Sequence, residues 1–296
     1  MSSRAALLPA LALCLALLLS GCGGQAAPAS GGDGAEAGSG SELTVYCFAA
    51  GKADAFLLYT ASGAVLLDCG EKGFGKEILA YLEEAGIEHL DYLIVTHFDQ
   101  DHVGGAAKVL NSIPVDNVLQ SNSPKNSTEV EKYEKALDAA GLTPVTVRET
   151  LTFTLDGVAY AVDPPRQTDY ASDDSNNSSL IVSVTNGEKR LLFMGDAMDE
   201  RTAEYLSSDR GTYDFVKLPH HGRWQETLEE LIASAKPAHA LITSSDSQPE
   251  DAETLELLER AGAQVWLTRV SPVLLYSDGA QLSVSYAETA QADAAA

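Results

Sequence analysis

Thr96-His97-Phe98-Asp99-Gln100-Asp101-His102-Val103-Gly104-Gly105 sets two imidazoles and two carboxylates within six consecutive positions. Nitrogen and oxygen donors at that density are the ligand types of divalent metal ions. Helix capping alone would need one acceptor rather than four polar groups. Leu93-Ile94-Val95 before it reads as a buried strand, and Val103-Gly104-Gly105-Ala106 reads as the start of a helix. The four side chains are therefore expected on a strand-to-helix loop, where α/β folds carry their chemistry.

Outward from this loop, apolar alternation predicts strands over 44–48, 55–59 and 64–68, with Ser62-Gly63 as a hairpin turn. Ile78, Leu79 and Leu82 recur at helical spacing, predicting a helix over 76–85 that Gly86 stops. Further on, helices are expected over 106–111, 128–140, 198–206, 225–235 and 252–261. They alternate with strands over 116–119, 145–148, 152–162, 180–184, 191–194, 215–218, 240–243, 265–267 and 272–276, the last paired with 281–284. Alternation of this kind defines an α/β domain, read here as one unit over 43–286.

Four of the six histidines fall in two places, the opening loop and the pair in Lys217-Leu218-Pro219-His220-His221-Gly222. Asp196, in Leu191-Leu192-Phe193-Met194-Gly195-Asp196, and Asp68, in Leu66-Leu67-Asp68-Cys69-Gly70, also stand just beyond apolar strands. With every candidate at a strand end, one sheet edge could gather them all. His89 and His239 are isolated and read as structural or solvent-facing. No Gly-x-Ser-x-Gly elbow is present, which argues against a serine nucleophile.

These motifs, in this order, resemble the metallo-β-lactamase-fold hydrolases, and within them the hydrolase-like domain of ComEC-type competence proteins. The resemblance runs from Val45-Tyr46-Cys47-Phe48-Ala49-Ala50-Gly51-Lys52-Ala53-Asp54-Ala55 through 66–70, 96–105, Asn177-Ser178-Ser179-Leu180 and Gly195-Asp196 to Leu218-Pro219-His220-His221-Gly222. It implies an α/β four-layer αββα sandwich with one or two divalent ions, zinc or manganese, between the sheet edges. His97 and Asp99 would serve a first metal position, and Asp101 and His102 a second that also carries the chemistry. Asp196 would bridge the two, and His220 or His221, preferably His221 beside Gly222, would complete the second.

Two departures weaken the first position: Asp99 stands where many members have histidine, and no histidine lies between His102 and His220. Asn176 or Asn177 would supply an amide there, to metal or substrate. Oxygen donors replacing nitrogen favour harder ions, manganese or a loosely held zinc. The attacking species implied is a metal-bound hydroxide. Asp68 and Asp54 read as carboxylates that orient histidines, with turn capping an equal reading for Asp54. Lys52 and Arg223 are candidates for a substrate anion, although solvated surface charge is the default for both.

The 45% apolar content suffices for a core. Residues 1–21, with one charge at Arg4 and an apolar run from Ala5 to Leu19, match a signal peptide. Leu19-Ser20-Gly21-Cys22 resembles a lipobox, so acylation of Cys22 would hold the chain on the outer face of the bacterial membrane. Residues 22–42 form a Gly/Ala/Ser tether, and an Ala-rich tail over 287–296 should be disordered. Cys47 and Cys69, the two cysteines of the body, could pair or could be ordinary core residues.

A net charge of −24, from 43 acidic against 19 basic residues, repels phosphate polymers and argues against strong nucleic-acid affinity. A small phosphodiester such as a nucleotide suits that charge better. The alternatives are hydrolysis of a lactam, lactone or thioester, or a non-catalytic lipoprotein that binds ligands at a degenerate site.

Overall fold

Alternate residues of the central strands are buried on opposite sides, so each of two sheets presents two apolar faces and both must be covered. The computed structural model describes residues 41–287 apart from 124, 172–174 and 209. The expected signal peptide, Cys22, nearly all of the tether and the tail beyond 287 lie outside the described residues.

The strands are β1 (Leu43–Cys47), β2 (Phe56–Tyr59), β3 (Ala64–Leu67), β4 (Leu90–Val95), β5 (Val115–Gln120), β6 (Val145–Thr146), β7 (Leu151–Leu155), β8 (Val158–Asp163), β9 (Ile181–Asn186), β10 (Lys189–Phe193), β11 (Phe215–Lys217), β12 (His239–Ile242), β13 (Gln264–Leu267), β14 (Val273–Ser277) and β15 (Leu282–Tyr286). The helices are α1 (Gly75–Glu84), α2 (Gln100–Val103), α3 (Ala106–Leu110), α4 (Thr128–Ala140), α5 (Asp199–Leu206), α6 (Leu228–Ala235) and α7 (Ala252–Ala261). One sheet runs β15-β14-β1-β2-β3-β4-β5-β6 and the other β13-β12-β11-β10-β9-β8-β7.

Three apolar layers follow from the alternation. Phe56 and Leu58 of β2 meet Val182, Val184, Leu191, Phe193 and Phe215 between the sheets. Leu57 faces the other way, into a layer with Ile78, Leu82, Val109, Tyr133 and Leu137 of α1, α3 and α4. Leu192, alternating with Leu191 and Phe193, joins Tyr205, Leu231, Ile232 and Leu258 under α5, α6 and α7. The order of layers is helix, sheet, sheet, helix, as expected.

Parallel pairing positions the site. β3, β4 and β5 are parallel neighbours, as are β10, β11, β12 and β13. Their carboxyl ends deliver Asp68, Thr96-His97, Asp196, the His220-His221 pair and Thr243. The loop after β4 is held close by Gly105, where a Cβ would sit 2.2 Å from the carbonyl oxygen of Cys69.

Two expected elements are corrected. The stretch 152–162 is two antiparallel strands, β7 and β8, joined at Asp156-Gly157, both left-handed (φ 46° and 80°). Its apolar alternation continues across the turn and hides it, while Asp-Gly supplies the hairpin geometry. Asp101 and His102 stand in the short helix α2 rather than on an open loop. Cys47 and Cys69 are both free and buried, in different apolar layers.

Candidate metal centre

Asp68 leaves β3 with a left-handed backbone (φ 57°) that turns its carboxylate across to β4. Its Oδ1 accepts from the Thr96 amide at 2.8 Å and its Oδ2 from the Thr96 hydroxyl at 2.7 Å. Oδ2 is also 2.8 Å from Nδ1 of His102. An ionised carboxylate only accepts, so Nδ1 carries a proton and Nε2 faces the interior of the site.

His221 is oriented by a parallel device from the other sheet. Residues His220, His221 and Gly222 after β11 are all left-handed (φ 45°, 54° and 75°), a strained run of the kind found at functional sites. The Thr243 hydroxyl gives its one proton to Asp54 Oδ1 at 2.7 Å, so it accepts from Nδ1 of His221 at 2.9 Å. Nε2 of His221 then points to Asp196 Oδ2, 2.9 Å away, and to Asp101 Oδ2, 3.5 Å away. Nε2 of His102 lies 3.3 Å from Asp196 Oδ1.

Ligand atoms of Asp101, His102, Asp196 and His221 all fall within 4.8 Å of one another. Nε2 of His97, His102 and His221 and Oδ1 of Asp196 are buried without a properly formed hydrogen bond. Orphaned imidazole nitrogens converging with carboxylates fit a divalent cation, which would satisfy them together.

The surrounding charges agree. Burial disfavours the charged form of Asp196, but His221, His102 and Lys217 outweigh it and hold the carboxyl well below its usual range. Burial likewise opposes protonation of His102 and His221, yet Asp196 with Asp68 raises the first, and Asp196 with Asp101 and Asp54 raises the second. His97 goes the other way, pushed down to about 4 by burial and by neighbouring His102.

The remaining candidates divide. His97 lies against His102 with the rings tilted, centres 4.1 Å apart, and its Nδ1 is near the hydroxyls of Thr96 and Ser179. Asp99 occupies the cap position of α2 without capping it; its Oδ1 accepts from Lys125 and Ser175, both at 2.6 Å. His220 lies outside the four-residue cluster, with Nε2 3.5 Å from the Asn176 amide nitrogen. Asn177 accepts from the backbone of Met198 and Arg201 at the start of α5. Lys52 stands 3.5 Å from Asp101, whereas Arg223 turns to Asp251 at 3.0 Å.

Sequence reasoning passed over Lys217, Thr243 and Ser179. Lys217 is fully buried, paired with Asp54, and gives a hydrogen bond to the Gly195 carbonyl at 2.9 Å. Its signal was a lysine inside the apolar strand that leads to the histidine pair. Ser179 accepts from the Asp196 amide at 3.1 Å and so fixes that residue from the segment just before β9.

The profile of the Metallo-beta-lactamase superfamily matches residues 49–243, which contain every member of the cluster. The chain belongs to this superfamily. Among relatives, it is similar to ComE operon protein 3 of Bacillus subtilis, 30% identical over 209 residues, covering 68% of this chain and 26% of that protein. Recombination protein 2 of Haemophilus influenzae is 26% identical over 215 residues, covering 71% and 25%. The chain thus spans about a quarter of the length of these relatives. The metallo-beta-lactamase fold protein YhfI of Bacillus subtilis superposes with a TM-score of 0.52 at 10% identity, covering 82% of this chain and 100% of that one, a likeness of fold.

Proposed function

We propose that this superfamily member is a metal-dependent hydrolase of phosphodiester bonds, acting on nucleotide-sized substrates at the outer face of the bacterial cell membrane, where acylated Cys22 anchors it. The observation that carries the reading is the convergence of Asp101, His102, Asp196 and His221 from two sheets onto one point. A divalent ion held by these side chains would supply Lewis acidity and ease the ionisation of a water near neutral pH. Two carboxylates in a set of four donors favour manganese or a loosely held zinc.

The chain's own groups are arranged for that task. Asp68 and Thr243 keep the Nδ1 positions of His102 and His221 protonated, so that both Nε2 lone pairs are available together. Lys52, beside Asp101 and partly exposed, is placed to attract an anionic ester. The overall charge of −24 disfavours a long polyanion, which supports a small substrate. Similarity to competence proteins, among them Competence protein ComA of Neisseria gonorrhoeae, supports a role alongside DNA uptake.

The full chain, loaded with manganese or zinc, is tested on bis-p-nitrophenyl phosphate and on nitrocefin. Phosphodiester cleavage, strengthened by manganese and abolished in Asp101→Ala/His102→Ala, is expected. Turnover of nitrocefin alone would establish the lactam reading. Substoichiometric metal with neither substrate cleaved would overturn the enzyme reading, and turnover surviving the double change would place the chemistry elsewhere.

A further inference from the structure

Lys217 is among the largest fully buried side chains of the protein, yet its stem ends in an ammonium group. Lysine is almost never enclosed in this way unless it is paired. Its partners come from both halves of the sandwich. Asp54, on the segment between β1 and β2, forms an ion pair with it. Gly195 and Asp196, following β10, supply a carbonyl oxygen at 2.9 Å and a carboxylate oxygen at 3.5 Å.

Asp54 is itself a junction. Its amide donates to the Asp101 carbonyl at 3.1 Å, its carbonyl accepts from the Gly70 amide at 2.8 Å, and its Oδ1 accepts from Thr243. It therefore touches the segments bearing Asp101, Asp68 and His221 while Lys217 holds it to Asp196. Asp54, Asp68 and Asp196 are enclosed, and Asp101 beside them is partly exposed. Three enclosed carboxylates with a fourth at their edge repel one another unless cations lie among them.

We infer that Lys217 is a positioning residue, a permanent internal cation that keeps Asp54 and Asp196 in place and assembles the ligand cluster before any metal arrives. Bound metal and Lys217 then share one electrostatic task, the neutralisation of the same carboxylates. Removal of the lysine should harm the metal-free protein more than the loaded one. A lysine that merely filled space would be missed equally in both.

The experiment compares full-length wild type, Lys217→Met and Asp54→Asn/Lys217→Met by thermal unfolding, after chelation and again with manganese. Methionine keeps the length of the stem and removes the charge; asparagine keeps an oxygen for Thr243 and removes the carboxylate left unpaired. Metal-free Lys217→Met should melt about 10 °C below wild type. Its metal-induced rise should exceed that of wild type, and the double variant should recover at least half of the loss without metal.

Equal losses with and without metal, or a double variant no better than the single, would overturn the inference. If Lys217→Met yields no folded protein, recovery in the double variant supports the brace and failure of both refutes it. The inference rests on the metal reading only for the loaded arm. If no variant, wild type included, responds to manganese, that reading fails, and the brace is decided by the single and double variants without metal.

Discussion

Asp68 and His102, 34 residues apart in the chain, are joined by a 2.8 Å contact between Oδ2 and Nδ1. The same carboxylate takes both the amide and the hydroxyl of Thr96, so one side chain ties the end of β3 to the end of β4 and to α2. Groups that orient a ligating imidazole typically carry about 10- to 100-fold in metal affinity. Asp68→Ala is therefore expected to weaken manganese or zinc binding by about that factor. Calorimetric titration of the folded variant checks it, and unchanged affinity would detach Asp68 from the centre.

Metal binding should expel protons. Asp196, together with Asp68 for His102 and with Asp101 for His221, raises both imidazoles above the ordinary 6.5 against the opposing effect of burial. Metal takes each Nε2 without a proton, so the protons that these raised imidazoles carry are released as the ion binds. The same direction has a folding consequence. The contribution of these groups to metal-free stability is complete below pH 6.5 and is lost as pH rises through their raised folded values. Titration in buffers of different ionisation enthalpy measures the release; identical apparent enthalpies in all buffers would contradict it.

The layered fold was legible because period-2 alternation assigns Leu57 and Leu192 to one side of their sheets and their neighbours to the other. The cluster was legible to the extent that its members are contiguous motifs after strands: Asp101, His102, Asp196 and His221 meet as the strand ends imply. The direction of a side chain was not. Asp99 stands in the densest motif, yet its carboxylate is engaged by Lys125 and Ser175, which arrive from 26 and 76 residues away. Lys217 was hidden for the converse reason: its role depends on Asp54, in a segment whose place beside it is set only by the packing of two sheets.

Arg201 anchors the wall behind the centre. It is fully buried on α5, and it donates to the Asp163 carbonyl at 2.7 Å, to Asp163 Oδ1 at 2.9 Å and to the Ser179 carbonyl at 3.0 Å. Arg201→Met leaves the buried Asp163 carboxylate with Arg210 and Thr150 for partners. Because Arg210 still pairs with the carboxylate, the cost is that of the lost charged hydrogen bonds, about 1.5–3 kcal/mol. A loss of that size is expected in urea unfolding at unchanged m-value; a change under ~1 kcal/mol would show that the pair is dispensable.

Trp266 and His239 form a pH-sensitive contact away from the metal centre. The indole Nε1 can only donate, and it lies 3.2 Å from Nδ1 of His239, so that nitrogen is unprotonated in the folded protein. Partial burial holds His239 below its ordinary 6.5. With the folded value depressed, the unfolded chain takes up the proton first as pH falls. The contribution of the contact is complete above pH 6.5 and is lost as pH drops through the folded value. Protonation also places an imidazolium against the indole and breaks the hydrogen bond, which changes the emission of Trp266. In a Trp224→Phe background, where Trp266 is the remaining one of the two tryptophans, emission should change as pH falls below the ordinary 6.5 of histidine. His239→Phe should remove that transition. An unaltered profile in His239→Phe would mean that another group titrates beside the indole.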